Sequence, residues 1–201
     1  MKKYLALCLF LGACLPALAQ KFPVMDKSPM DMAYYPVDYP ILKIQNKITE
    51  PLVARLIYSR PQKNGRTVFG GLNEYEKVWR FGANEATEIE FFQNVQIGGK
   101  AIPKGRYTLC AIPVDSTKWT VIVNKDTDTW GSFKYDMKKD IARVDVPVQK
   151  TPETLEALAM FFTKTDDGFA LNAGWENAMV SIPMRVNAKA PVAKPASKKA
   201  E

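Results

Sequence analysis

The chain has 201 residues, 47% hydrophobic and 24% charged, with no histidine, and its length suits one domain with a substantial core. The missing imidazole excludes Ser-His-Asp and Cys-His nucleophile systems, histidine-ligated metal or haem, and a histidine pH switch; three cysteines, two of them within the first 14 residues, exclude a disulfide framework. Of the net charge of +7, the first 19 residues carry +2 and residues 187–201 carry +3, so the body holds only +2 and gives no electrostatic footprint for nucleic acid.

In chain order, Lys2 and Lys3 precede an apolar run over 4–15, then Pro16 and Ala17-Leu18-Ala19. This pattern predicts a signal peptide over 1–19, cleaved before Gln20, and export to the periplasm or beyond. The run is too short for a transmembrane span. Leu11-Gly12-Ala13-Cys14 resembles a lipobox, which makes a lipid anchor on Cys14 the alternative; the residues after it stay apolar, whereas a lipoprotein tether turns polar at once.

Residues 20–40 read as an extended N-terminal segment before a domain over 41–186. Strands are expected at 41–48, 53–58, 86–92, 101–112 with a turn at 103–105, 119–124, 142–148, 157–163, 169–173 and 179–186. Several alternate with a period of two: Ile89 and Phe91 against Glu88 and Glu90, Trp119, Val121 and Val123 against Thr120, Val144 and Val146 against Arg143 and Asp145. Asn64-Gly65, Gly98-Gly99 and Asp167-Gly168 are turn dipeptides that accept positive φ. Short helices fit only at 73–79 and 151–159, with a lead into a strand as the alternative for the second. The fold class is therefore all-β: a single-domain antiparallel β-sandwich with one or two short helices, a jelly roll being one form that fits. Cys110, within Tyr107-Thr-Leu-Cys-Ala-Ile112, reads as a small buried hydrophobe. Residues 187–201, rich in Ala, Lys and Pro, read as a disordered tail.

The strings Tyr58-Ser59-Arg60-Pro61, Phe69-Gly70-Gly71-Leu72, Val78-Trp79-Arg80 and Gly82-Ala83-Asn84-Glu85-Ala86-Thr87 recur in a known pattern. So do Ile102-Pro103-Lys104-Gly105-Arg106-Tyr107, Trp119-Thr120-Val121-Ile122-Val123-Asn124-Lys125 and Trp130-Gly131. Together they resemble the family called domain of unknown function 2911, secreted proteins of a Bacteroidetes type, over about residues 28–183. The resemblance implies a secreted β-sandwich-like domain and brings no activity with it.

Three groups of residues could carry chemistry. Arg80, Asn84 and Glu85 combine directional donors with a carboxylate and could grip a sugar or a peptide carboxylate; the plainer reading is a loop stapled by its own Arg80–Glu85 pair with Trp79 in the core. Asn124, Asp126 and Asp128 place oxygen at alternate positions, a calcium candidate that lacks the EF-hand glycine and terminal glutamate; the plainer reading is a polar loop with Trp130 folded inward. Glu85 with Asp126 or Asp140 could form a glycosidase or lyase pair. Trp130 and Tyr34–Tyr39 lie among loop residues and are the freer aromatics for sugar stacking, whereas Trp119 belongs in the core. The expected binding set is Arg80, Asn84, Glu85, Asn124, Trp130 and Arg143, with Asp126 and Asp128 as the only metal candidates and no other cofactor. The expected function is a binding or accessory module for an envelope glycan, peptide or protein; the alternatives are a carboxylate-dependent carbohydrate-active hydrolase or lyase and a structural envelope component.

Overall fold

The computed structural model describes residues 21–186; the expected leader, its Cys14 alternative and the 187–201 tail lie outside them. Two antiparallel sheets face each other. The larger holds six strands: β1 (Met30–Tyr35), β2 (Ala54–Ser59), β3 (Glu88–Phe91), β6 (Gly105–Pro113), β7 (Lys118–Asn124) and β8 (Asp140–Pro147), side by side in that order. The smaller runs β5 (Lys100–Ile102), β4 (Val95–Ile97), β10 (Gly168–Val186) and β9 (Gln149–Thr165). Neighbours in the large sheet follow chain order, with the β4–β5 hairpin as an excursion into the other sheet, so the arrangement is a meander and not the interleaved order of a jelly roll.

The alternation in the sequence becomes the two faces of the large sheet. Leu56, Ile89, Phe91, Leu109, Trp119, Val121 and Val123 turn inward against Leu158, Phe162, Phe169, Leu171, Trp175 and Ile182 of the small sheet. Phe69, Trp79, Trp119 and Trp175 form an aromatic knot with ring centroids 4.7–6.4 Å apart, a packing that favours tilted and edge contacts. The Gly98-Gly99 turn has both residues at positive φ (54° and 76°), as a two-residue type I′ hairpin requires.

Three local expectations differ from the structure, and one open alternative is decided. Residues 39–44 form a short helix α1 (Tyr39–Ile44), not the start of a strand; Pro40 sits in its first turn, where a missing N–H costs nothing. Residues 151–159 take the strand alternative as part of β9, because pairing with β10 overrides their helical propensity. Residues 73–79 are irregular and end where Trp79 bridges Ala111; the other helical turn is a 3-10 turn at Met137–Lys139. The turn expected at Asp167-Gly168 is shifted one residue, since Thr165 pairs with Gly168. In addition, β1 pairs with β2 over six residues, so the sheet already begins at Met30.

The span Gly168–Val186 doubles back on itself. A straight strand of that length would separate its ends by about 60 Å, yet a Cβ built on Gly168 would lie 2.4 Å from the Met184 carbonyl oxygen, and Arg185 pairs with Asp167. The reversal is at Glu176, whose φ is 55°. Among the described residues no helix is long and apolar enough to cross a membrane.

Candidate functional site

The site lies on the outer face of the large sheet. Thr108, Cys110, Ile122 and Asn124 alternate away from the inter-sheet core, and all four are nevertheless buried. Residues 125–139, the connection from β7 to β8, fold back across this face. Lys125 N–H closes the base of the connection onto the Lys139 carbonyl at 3.0 Å. Thr108 Oγ1 donates to the Asp126 carbonyl (2.6 Å), Gly131 N–H to the Asn84 carbonyl (2.9 Å) and Ser132 Oγ to the Val78 carbonyl (3.0 Å). Ala86 N–H reaches the Thr129 carbonyl at 2.9 Å. The loop is thus sewn to β6 and to the 78–86 segment by its backbone, which fixes what its side chains present.

A cleft of about 420 Å³ opens between loop and sheet, floored by Thr108 and Cys110 and walled by Asn124, Trp130, Phe133 and Tyr135. That volume is within the range of small-ligand sites. Trp130 is 63% exposed and Phe133 87%. Gly131 between them has a φ of 68°, left-handed backbone that glycine adopts without strain.

A bulge builds the polar end. The β7–β8 register shifts between Val123 and Asn124, so Val123 faces Ala142 while Asn124 faces Asp140. Ile141 and Ala142 both pack on the core, and Asp140 is turned outward, a re-aiming that bulges provide. The Asp140 carboxylate, its side chain 9% exposed, accepts from Asn124 Nδ2 (2.7 Å), the Tyr135 hydroxyl (2.6 Å) and Arg143 Nε (2.7 Å). Arg143 also donates to the Tyr135 oxygen at 2.6 Å. Burial, then the hydrogen bond to the Asp140 carboxylate, pushes the Tyr135 phenol up to about 12. The same carboxylate raises the Arg143 guanidinium. Cys110, beneath, is pushed up to about 12 by burial and then by the Asp140 charge.

The structure gathers the expected residues only in part. Asn124, Trp130, Asp126 and Asp128 line the cleft, and Arg143 closes its polar end through Tyr135 and Asp140. Asn84, with φ 57°, serves the loop through its carbonyl, and Glu85 bridges the Trp130 backbone with its side chain over a neighbouring cleft it shares with Glu88. The Arg80–Glu85 staple is absent from the ion pairs of the described residues; Trp79 does anchor the segment, its indole N–H donating to the Gly82 carbonyl at 3.0 Å. Asp126 Oδ1 meets Lys139 Nζ at 2.9 Å, and Asp128 is paired with Arg106. A calcium ion would have to displace both cations, and among the described residues no three acidic or thiol ligands converge. Tyr34 and Tyr35 lie in β1, not a loop, and Tyr35 stacks on Phe169 at 4.3 Å. Sequence reasoning missed Tyr135 and Phe133; a large apolar residue inside Gly-Ser-Phe-Lys was a usable signal for the second.

A family model described as a protein of unknown function (DUF2911) matches the chain over residues 40–184. The chain belongs to this family. No curated protein and no solved structure matches it.

Proposed function

We propose that the protein is an exported binding module whose ligand is an envelope saccharide, held in the cleft under Trp130. The observation that carries the reading is the pair of exposed aromatic side chains, Trp130 and Phe133, on a loop fixed by its own backbone hydrogen bonds beside a polar wall. Aromatic faces stack on the apolar faces of sugar rings, and Asn, Asp and Arg side chains take the hydroxyls. The export half of the reading rests on the leader over 1–19.

The titratable groups favour holding a ligand over transforming one. Burial pushes the Tyr135 phenol and the Cys110 thiol up to about 12, away from the neutral range where a general acid or base works well. Asp140 has its oxygens taken by three donors, and Asp126 and Asp128 each face a cation.

The test is calorimetric titration and tryptophan fluorescence of the purified protein against neutral and acidic oligosaccharides and, separately, peptides. Saccharide binding should perturb the fluorescence, and Trp130→Ala should weaken it about 10-fold, the equivalent of one lost stacking contact. Peptide binding without any saccharide response would overturn the ligand class. Hydrolysis products in the incubation would move the reading to a carbohydrate-active enzyme.

A further inference from the structure

The arginines of this fold are nearly all neutralised. Arg55 pairs with Glu90, Arg60 with Asp31, Arg106 with Glu88 and Asp128, Arg143 with Asp140 and Arg185 with Asp167. Arg66, on an exposed turn, donates to the carbonyls of Lys63 and Gln62. Arg80 differs. It sits between the core residues Trp79 and Phe81 and is itself half-buried. Its Nε is buried without a hydrogen-bond partner among the described residues, and burial, with no carboxylate opposing it, draws its pKa down.

A second orphan lies beside it. Asn73 Nδ2 is also buried without a partner, and Asn73 and Arg80 line the same cleft of about 150 Å³, together with Lys77, Glu74 and Ser132. Buried donors are nearly always satisfied, and a desolvated charge left unpaired is costly. Two cations against one carboxylate line the cleft, with the two orphan donors buried in its wall, and this arrangement calls for acceptor oxygens carrying negative charge. The contrast is Arg55, whose Nε is also orphaned but whose charge Glu90 already meets.

We propose that this cleft is an oxyanion subsite, in which Arg80 and Asn73 hold a carboxylate or phosphate group of a ligand. Its position suits that role. Trp79 pairs with Ala111, which sets Arg80 abreast of Cys110 on the outer face of the sheet. Ser132 lines both this cleft and the larger one. An acidic sugar lying under Trp130 would reach Arg80 past Ser132. The subsite itself does not depend on the saccharide reading, because small anions alone suffice to fill it.

The experiment titrates the purified protein with sodium phosphate and with sodium acetate, against sodium chloride at matched ionic strength, reading the melting midpoint and calorimetric heat. A saturable upward shift with phosphate or acetate and not with chloride is expected; the effective anion tells a phosphorylated from a carboxylated ligand. Arg80→Met, of similar length, should weaken anion affinity at least 10-fold, and Arg185→Met, at an exposed ion pair with Asp167, should leave it unchanged. Asn73→Asp keeps the side-chain shape and puts a carboxylate in the cleft, so it should abolish the anion response and raise the midpoint of the free protein. No anion-specific response in the wild type overturns the subsite, as does full affinity in Arg80→Met. Should Arg80→Met not fold, undiminished affinity in Asn73→Asp overturns it.

Discussion

Truncating Asp140 to alanine removes the centre of the polar end of the cleft. The carboxylate is nearly buried, its side chain 9% exposed, and it accepts three hydrogen bonds of 2.6–2.7 Å. A hydrogen bond to a charged group contributes about 1.5–3 kcal/mol, but the three are not additive. The Arg143 share is discounted because that side chain is 37% exposed and rehydrates readily. Asn124, only 2% exposed, loses one of its two acceptors and cannot replace it with water at no cost. The expected loss is about 3–5 kcal/mol, as for other broken buried pairs, or a melting midpoint lower by roughly 6–20 °C for a domain of this size. Urea denaturation of the purified variants measures it. Arg143→Ala should lose about 1 kcal/mol, and the double variant should lose less than the sum of the two. A loss under about 1 kcal/mol for Asp140→Ala would mean that the network does not brace the cleft, and the reasoning fails.

Alkaline stability provides a second check. Cys110 and Tyr135 are acids whose folded pKa values are raised, so folding favours their protonated forms. Their contribution is complete below the ordinary values of 9.0 and 10.0 and is lost as pH rises through about 12. Stability should fall from about pH 9 upward, by up to about 1.4 kcal/mol per pH unit for the thiol, and Cys110→Ala should flatten the first part of that decline. Native Cys110 should also resist thiol reagents at pH 7, and rapid labelling would contradict its burial. Gly131→Ala should cost about 1–2 kcal/mol, because φ 68° is left-handed and its Cβ would lie 2.6 Å from the Phe133 ring; unchanged stability would show that the loop tolerates another path. Trp119→Ala, at 1% exposure, should cost about 3–5 kcal/mol in denaturant titration. Trp130→Ala should stay within about 0.5 kcal/mol of wild type, which separates a binding role from a structural one.

The sequence by itself determined the sandwich, because its signals are local. A period of two in Glu88–Phe91 and Lys118–Asn124 sets which face each side chain takes, and Gly98-Gly99 sets a turn, whatever lies elsewhere in the chain. The same logic put Trp119 inside, but it gave no rule for Trp130, which reads either as folded into its polar loop or as a free aromatic and is 63% exposed. Tertiary contact decided the rest. Residues 151–159 read as helix or as the lead into a strand, and they are strand because β10 offers pairing partners. The polar end of the cleft depends on a one-residue slip between β7 and β8 that turns Asp140 toward Asn124, and no spacing within either strand encodes it. Arg80 and Glu85 sit five apart and read as a pair, but the backbone sends one beside Cys110 and the other across the Trp130 loop. Alternation and turn residues act within a few positions of themselves, whereas register and loop packing are settled by every surface that must be buried at once.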